Sequence, residues 1–310
     1  MTDAPLFSVI VPAYNRSRLL REALASVMAQ SCRDFEVIVV DDGSTDDTSE
    51  AIRSFNGPVR FLQQKNLGPG AARNCGADHA GGRYLAFLDS DDLWFPWTLE
   101  VYARAVAEHN SPAFVAGKPK IFRSTSDLQS VNQEPLSVAV FADYFRSGDQ
   151  WRWWGATSFV IRADAFTAAG GFTNEPINGE DADLALRLGD APGFVQVTAP
   201  ITFAYREHDS MATHLSRRTF DGVRHAVTAE REQRYPGGDA RSRERWRILT
   251  RHARPVILDG VKGERWREAW RLYVTTFPWN ARVGHWRFLA GVPVMLVAAR
   301  LGWPMKRHQA

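Results

Sequence analysis

The stretch Tyr84–Asp92, which reads YLAFLDSDD, decides the fold class of this chain. Its apolar first half is typical of a buried β-strand, and its second half brings Asp89, Asp91 and Asp92 together directly after that strand. Carboxylates this close repel each other unless solvent or a cation screens them, and their hard oxygen atoms suit Mg²⁺ or Mn²⁺. The pattern therefore predicts a metal site at the edge of a sheet, although a solvated acidic turn gives the same pattern.

Strands and helices alternate along the residues that precede this stretch. Strands are predicted at Phe7–Val11, Phe35–Val40 and Val59–Leu62, and helices over 19–28, after a capping box at Ser44–Asp47, and over 69–80. This alternation is typical of an α/β fold in which helices flank a mainly parallel, Rossmann-like sheet. Ligands of such folds bind beyond the carboxyl ends of the strands.

The rest of the chain changes character near residue 214. Before that point we predict helices over 96–109 and 180–189, strands within 113–122, 157–162 and 194–205, and a loop over 124–137. After it the sequence is helical, rich in Arg and rich in Trp. We therefore predict one domain over 1–213, with parts at 1–95 and 96–213, and a basic helical extension over 214–310.

The net charge of +3 hides an uneven distribution. Residues 1–216 carry 18 basic and 27 acidic residues, whereas residues 217–310 carry 20 basic and 8 acidic ones. The second part is expected to face an anionic surface, or the acidic first part. A nucleic-acid partner is not expected, because no recognised binding motif accompanies the positive charge.

Several classes of protein are disfavoured by the composition. Apolar residues at 45% and charged residues at 24% are ordinary for a soluble globular protein. Cys32 and Cys75 provide neither a disulfide framework nor a multi-cysteine zinc site. The apolar run Phe288–Ala299 is shorter than the roughly 20 residues of a membrane span and contains Pro293. Because the first residues also lack a signal-peptide pattern, we expect a cytoplasmic protein.

Three further polar clusters follow predicted strands. Pro12–Asn15 includes an aromatic ring that can stack on a base, and Asp41–Ser44 contains adjacent carboxylates. The segment Gln64–Gly76 has a Gly-Pro-Gly turn before Arg73, which can hold a phosphate or a nucleoside. Ordinary turns, helix caps and an exposed Arg remain open alternatives. No GxGxxG motif follows the first strand, which disfavours a nicotinamide dehydrogenase, and no GxxxxGK[ST] sequence occurs.

Together these clusters resemble glycosyltransferase family 2, the inverting nucleotide-sugar transferases with the GT-A fold. The resemblance rests on five blocks in the family's order: SVIVPAYNR, EVIVVDDGSTDDT, QKNLGPGAARNCG, YLAFLDSDD and GGFTNEPINGEDADLALRL. It covers residues 6–210. It implies a GT-A domain over 1–213, in which 1–95 binds the nucleotide and 96–213 the acceptor.

The resemblance also implies roles for individual residues. Nucleotide binding, with uracil as the usual base, falls to Pro12, Tyr14, Asn15, Asp42, Arg73 and Asp89. Binding of Mn²⁺ or Mg²⁺ falls to Asp91, with Asp89 and His208. The spacing of Arg206, His208 and Ser210 is one residue shorter than the family's pattern, so a surface histidine remains an alternative.

The resemblance implies that Asp181 is the catalytic base and that Glu180 orients the acceptor. Helical spacing supports this, because Asp181 shares a face with Leu184 and Leu188. Asp183 is expected elsewhere on the helix, paired with Arg187. The helix dipole is expected to stabilise the ionised form of Asp181 by about 0.3–1 kcal/mol. A capping acid is the alternative role.

Aromatic residues suggest two further surfaces. Trp153 and Trp154 precede a predicted strand and can stack on an acceptor sugar, or pack a loop onto the core. In the extension, the stripe Trp266, Trp270, Tyr273 and Phe277 favours core packing over a membrane face. The last 25 residues combine an apolar run with flanking Trp286 and Trp303 and terminal Lys306 and Arg307, which suits anchoring on anionic lipid. A helical cap or a dimer contact remains an alternative.

The sequence thus predicts an inverting, metal-dependent glycosyltransferase that moves a sugar from a nucleotide-sugar, usually a UDP-sugar, to an acceptor hydroxyl. The resemblance suggests a saccharide or lipid-linked acceptor in bacterial surface polysaccharide or glycolipid synthesis. Peripheral attachment to the inner face of the membrane fits this expectation. The alternatives are a nucleotidyltransferase and a non-catalytic nucleotide-sugar-binding protein. The oligomeric state stays open.

Overall fold

The computed structural model describes residues 4–148, 155–207 and 217–301. These residues form two compact units. The first unit comprises the described residues up to 207, apart from Gly148 and Ile177–Gly179. The second unit comprises Gly148, Ile177–Gly179 and residues 217–301.

The first unit has an α/β architecture. Its strands are β1 (Phe7–Ala13), β2 (Phe35–Asp41), β3 (Arg60–Gln63), β4 (Tyr84–Phe87), β5 (Leu93–Trp94), β6 (Phe114–Ala116), β7 (Pro119–Phe122), β8 (Ser137–Phe141), β9 (Phe159–Arg162), β10 (Phe194–Ala199) and β11 (Phe203–Arg206). Its α-helices are α1 (Ser17–Met28), α2 (Thr48–Arg53), α3 (Pro69–Asp78), α4 (Thr98–Glu108), α5 (Ala163–Ala168) and α6 (Glu180–Arg187).

Eight strands form the central sheet, in the order β3-β2-β1-β4-β9-β6-β10-β8. The first four are parallel to one another, as the alternation of strands and helices predicts. All seven residues of β1 are buried, because the strand lies inside the sheet and both of its faces are covered. β9 runs antiparallel to both of its neighbours, and β8 runs antiparallel to β10. A smaller sheet has the order β5-β11-β7.

One local prediction is wrong, and another is confirmed apart from a short turn. The capping box at Ser44–Asp47 does not form, because α2 begins only at Thr48 and its cap residue makes no side-chain hydrogen bond. Ser44 instead donates its backbone N–H to Asp41 (2.9 Å), while its hydroxyl accepts the backbone N–H of Asn15 (3.0 Å). The predicted loop over 124–137 contains a short 3₁₀ turn at Thr125–Leu128 and ends where β8 begins.

The second unit is helical in its described part. Its helices are α7 (Arg217–Arg231), α8 (Ser242–Lys262), α9 (Trp266–Arg282) and α10 (Trp286–Arg300). The aromatic stripe of α9 packs inward at Tyr273, which is buried and stacks on Trp270 with ring centroids 5.0 Å apart. Phe277 at the end of the stripe is 43% exposed, so core packing accounts for only part of the stripe. Among the described residues, no helix has the length and apolar character that crossing a bilayer requires.

Candidate active site

Strand order brings the polar clusters of the sequence to one edge of the sheet. β1 lies between β2 and β4, and all three strands run in the same direction. Asp41 therefore pairs with Ala13 at the ends of β2 and β1, and Leu88 at the end of β4 donates its N–H to Ile10. Because the three strands end together, the residues that follow them lie around one crevice.

Asp42 organises the loop that follows β3. It is buried, and its carboxylate accepts hydrogen bonds from the side chain of Gln64 (2.7 Å) and from the backbone N–H groups of Leu67 (2.9 Å) and Gly68 (2.8 Å). The adjacent Gly43 has φ +76°, and a Cβ atom there would lie 2.8 Å from the backbone nitrogen of Asn66. Asp42 thus fixes the Gly-Pro-Gly turn, and its direct contact with a base stays a prediction.

The residues after β1 present one exposed ring. Tyr14 is 45% exposed, whereas Pro12 is buried within the strand. Asn15 adopts φ +51° and uses its side-chain oxygen to accept the backbone N–H of Thr45 (2.8 Å). Asn15 therefore ties the first crevice loop to the second, and Tyr14 is left available for stacking.

Arg73 lies at the centre of the site. It is only 4% exposed, and it donates to Asp89 (2.6 Å) and to Glu180 (2.9 Å) while its guanidinium lies over the ring of Phe172. Burial alone would lower the pKa of Arg73, but the charges of the two carboxylates outweigh burial and raise that pKa. In this structure Arg73 therefore joins the acids that follow β4 to those that begin α6. Its predicted contact with a nucleoside or phosphate stays a prediction.

Asp92 stabilises the acidic turn through hydrogen bonds of its buried carboxyl group. It is 2% exposed and accepts hydrogen bonds from the hydroxyl of Thr157 (2.7 Å) and the backbone N–H of Arg206 (3.0 Å). Burial, followed by the charges of Asp91 and Asp89, raises the pKa of Asp92 well above its ordinary value. The charges of Asp91 and Asp89 thus add to the larger effect of burial on the pKa of Asp92.

Asp181 faces the same crevice from the first turn of α6. The position that a Cβ atom of residue 155 would occupy lies 3.8 Å from a carboxylate oxygen of Asp181 and 3.8 Å from one of Asp89. Gly155 has φ +78°, a conformation that side chains disfavour, and it leaves this space open. Two carboxylates from distant parts of the chain therefore border one small space.

The electrostatic setting of Asp181 differs from the expected one. Burial is the largest cause and the charge of Glu180 the next, and together they raise the pKa of Asp181 from about 3.8 to about 7. The backbone N–H of Ala182 (2.8 Å) and the charge of Arg73 act in the opposite direction but do not outweigh them. The expected contribution of the helix terminus to the ionised form stays a prediction, because burial is the main influence on the pKa of Asp181.

The residues that follow Asp181 agree in part with the predicted division of α6 into a buried and an exposed face. Leu184 and Leu188 are buried, and Asp183 pairs with Arg187 at 2.8 Å. Asp183 is itself buried, at 2% exposure, so this ion pair lies inside the unit and helps to fix the helix that carries Asp181.

Sequence reasoning missed the supporting contacts of three residues. Thr157 accepts the backbone N–H of Asp89 (3.0 Å) in addition to donating to Asp92. Arg206 donates its side chain to the backbone oxygen of Asp91 (2.8 Å). Asn74 exchanges two hydrogen bonds of 2.8 Å with the backbone of Phe172. A single Thr, Arg or Asn carries no pattern that could have marked these roles in advance.

The donor chemistry of the acidic turn fits a divalent cation in combination with a ligand. Asp89 and Asp91 offer hard oxygen atoms beside the negative charge that raises the pKa of Asp92. Within residues 4–148, 155–207 and 217–301, no three His, Cys, Asp or Glu side chains form a group able to hold a metal ion. Mg²⁺ in proteins usually takes one or two carboxylates together with oxygens of a substrate phosphate. His208, Trp153 and Trp154 lie outside the described residues.

Solved structures with the same architecture define the class of fold. S. aureus TarS residues 1–349 match 97% of this chain and 93% of their own, with a TM-score of 0.66 and 19% identity. The complex of TarS 1–349 with UDP-GlcNAc gives a TM-score of 0.69. The mannosyltransferase PcManGT from Pyrobaculum calidifontis, solved with GDP-Man and Mn²⁺, covers 97% of this chain and 88% of its own at a TM-score of 0.56 and 19% identity. The predicted GT-A fold is confirmed.

Sequence comparison assigns the family. The model of glycosyl transferase family 2 matches residues 8–168, and the chain belongs to that family, as predicted. An uncharacterized glycosyltransferase of Rickettsia felis is 40% identical over 136 residues, which are 43% of this chain and 23% of the relative. The Escherichia coli chondroitin synthase is 30% identical over 203 residues, which are 62% of this chain and 28% of the synthase. The matches therefore span less than a third of these relatives' length.

Proposed function

We propose that this protein is an inverting glycosyltransferase that uses a nucleotide-sugar, with a UDP-sugar as the first candidate. One observation carries the proposal: Arg73 joins Asp89 to Glu180, and Asp181 shares the space beside Gly155 with Asp89. A donor held by the acids after β4 would then present its sugar to the acids of α6. Proximity of this kind supplies a large part of the rate enhancement in bimolecular transfers.

The nucleoside would bind along the ends of β1 and β2. The exposed ring of Tyr14 is available to stack on the base, and Pro12 and Asn15 shape the loop that carries it. Asp42 would hold the Gly-Pro-Gly turn in position beside the nucleoside. Its carboxylate oxygens would also accept a hydrogen bond from the base. The UDP-GlcNAc complex of TarS, a protein of the same fold, makes UDP the first nucleotide to test.

The diphosphate would be held beside the acidic turn together with Mn²⁺ or Mg²⁺. Asp91 and Asp89 would contribute oxygen ligands, and His208 is the third predicted ligand. Such a cation, when bound, neutralises negative charge on a leaving diphosphate and orients it. Arg73 would keep Asp89 in position, and Thr157 and Asp92 would hold the turn.

Asp181 would act as the general base. It would accept the proton of an acceptor hydroxyl while that oxygen forms a bond to the anomeric carbon and the bond from this carbon to the diphosphate oxygen breaks. The attack comes from the opposite side of the sugar, so the anomeric configuration inverts. A carboxylate with a pKa of about 7 accepts a proton more readily than one with an ordinary pKa, which suits this role.

The acceptor would enter from the side of α6, where Glu180 is positioned by Arg73. Trp153 and Trp154 remain candidates for stacking on an acceptor sugar. We propose a saccharide or lipid-linked acceptor of the kind used in bacterial surface polysaccharide or glycolipid synthesis.

A donor panel tests the proposal. The full chain is incubated with UDP-, GDP- and dTDP-sugars in Mn²⁺, Mg²⁺ or a chelator, and the release of free nucleoside diphosphate is measured together with thermal stability. Stabilisation by one donor with the metal, and release of its nucleoside diphosphate, are expected. Stabilisation without release under any condition identifies a binding protein, and pyrophosphate release from a nucleoside triphosphate with a sugar phosphate identifies a nucleotidyltransferase.

A further inference from the structure

Helix α10 exposes an apolar face. Trp286, Val294, Val297 and Leu301 are 64%, 68%, 58% and 69% exposed, and Ala290 between them is exposed as well. Their spacings of four, four, three and four residues confine these five residues to an arc of roughly 80° on a helix that turns by about 100° per residue. Leu289 and Val292 are buried on the opposite side. We call these five exposed residues the α10 apolar face.

This arrangement departs from the usual pattern of a surface helix, which turns its polar residues outward, because α10 is apolar on its exposed side as well as on its buried side. Helix α7 of the same unit follows the usual pattern, with Arg217, Arg218 and Arg224 at exposed positions. Single exposed apolar residues are normal on a protein, but a continuous stripe of them marks a surface that contacts something else. We therefore expect the α10 apolar face to bind a partner or a surface.

The surrounding charge indicates what binds this face. From Ala269 to the end of the sequence there are six Lys and Arg residues and no Asp or Glu. Arg287 follows the first residue of the face, and Arg300 precedes the last. Apolar residues bordered by cations are typical of helices that lie in the interface of an anionic bilayer. A second copy that docked through its own α10 would bring the same positive charge to the face and be repelled.

The length of α10 limits how it can meet a bilayer. Fifteen residues of helix extend about 22 Å, which is less than the roughly 30 Å of a hydrocarbon core. We propose that the α10 apolar face lies along the surface of an anionic lipid bilayer, with its side chains among the acyl chains and Arg287 at the headgroups. The helix lies parallel to the bilayer and does not cross it.

Vesicle co-sedimentation of the full chain tests this proposal. We expect the protein to bind vesicles of phosphatidylcholine mixed with phosphatidylglycerol at least roughly tenfold more tightly than vesicles of phosphatidylcholine alone. Binding that is equal on both kinds of vesicle, or absent from both, overturns the proposal.

Two matched variants show whether this face is the one that binds. Val297→Glu places a charge on the α10 apolar face, whereas Val140→Glu changes a valine of similar exposure, 54%, on β8. Val297→Glu is expected to weaken binding to the mixed vesicles by about tenfold, because apolar burial is lost and a negative charge is brought to an anionic surface. Val140→Glu is expected to bind like the unchanged protein. Equal effects of the two variants overturn the proposal.

Two further measurements test the role of the positive charge and whether a second copy of the chain covers the face. Arg287→Gln, which leaves the apolar residues in place, is expected to weaken binding roughly fivefold, and full binding by this variant contradicts the role of the charge. Sedimentation equilibrium without lipid provides the other measurement. If Val297→Glu converts a dimer into a monomer and the unchanged protein ignores vesicles, a second copy covers the face and the proposal is wrong.

Discussion

The two units each bury an arginine against carboxylates, but they surround it differently. In the second unit, Arg245 is 1% exposed and donates to both oxygens of Glu230, to the backbone oxygens of Pro236 and Gly238 and to the hydroxyl of Ser242. In the first unit, Arg73 is 4% exposed and binds Asp89 and Glu180, and its Nε atom has no hydrogen-bond partner among the described residues.

The difference separates a structural ion pair from a charged site. Arg245 has one carboxylate and a set of neutral acceptors, so its charge is balanced and its hydrogen bonds are made. Arg73 lies among three carboxylates, since Asp181 also feels its charge, and the pKa of Asp181 is nevertheless raised to about 7. A buried carboxyl group with a raised pKa of this kind is typical of functional sites. The following predictions test this distinction.

The largest effect is expected for turnover in Asp181→Asn. Asn keeps the shape of the side chain but cannot accept the hydroxyl proton, so we expect transfer to fall by about 10²–10⁴-fold. Nucleotide binding, measured by thermal shift with metal and UDP, should remain. Turnover close to that of the unchanged protein would remove Asp181 from the role of base, and lost nucleotide binding would point to a folding defect.

The next effect concerns stability in the second unit. Arg245→Gln leaves the buried carboxylate of Glu230 without its charged partner, and we expect the free energy of unfolding to fall by about 3–5 kcal/mol. Urea unfolding measures this change. Arg224→Gln, which alters an exposed ion pair with Asp221, is the control and should change the free energy of unfolding by less than about 1 kcal/mol. Equal losses would show that the Arg245 pair is no more structural than a surface one.

The smallest effect is a dependence of stability on pH. Because the pKa of Asp181 rises from about 3.8 to about 7 on folding, the folded protein binds more protons between these values, and stability falls as pH rises through that window. Asp181→Asn removes this penalty. We expect the variant to be more stable than the unchanged protein at pH 8, by about 1–3 kcal/mol, and similar to it near pH 4.

Urea unfolding of both proteins in the presence of a chelator measures this difference. The chelator matters because a bound cation would stabilise the ionised acid and reduce the gain. A variant that is less stable than the unchanged protein at pH 8 would mean that Asp181 lies in a more polar setting than the structure gives it.

Much of the fold could be predicted from local sequence patterns. The apolar runs of β1, β2 and β4 were predictable because strands covered on both faces need continuous apolar residues. Direction was not predictable in the same way. Phe159–Arg162 has an equally apolar pattern, yet it enters the sheet as the antiparallel β9 between β4 and β6. An apolar run indicates that a strand is buried, but it does not indicate whether the strand is parallel or antiparallel to its neighbours.

The candidate site was predictable in its acids but not in their connections. Asp89 and Asp181 stand out because carboxylates beside apolar residues are costly without a function. The hydrogen bond of Arg73 to Glu180 joins residues 107 positions apart, and that of Thr157 to Asp92 joins residues 65 positions apart. The raised pKa of Asp181 was also missed, since local helical spacing shows the helix terminus but does not measure burial.

Neighbouring residues of α3 fix both ends of one segment. Asn74 is bonded to the backbone of Phe172, and Arg73 is paired with Glu180. Chain lying between two anchored ends can gain or lose residues at small entropic expense, because the closure penalty grows only slowly with length. Changes of length over Thr173–Pro176 are therefore expected to leave Asp181, the neighbour of Glu180, in its position.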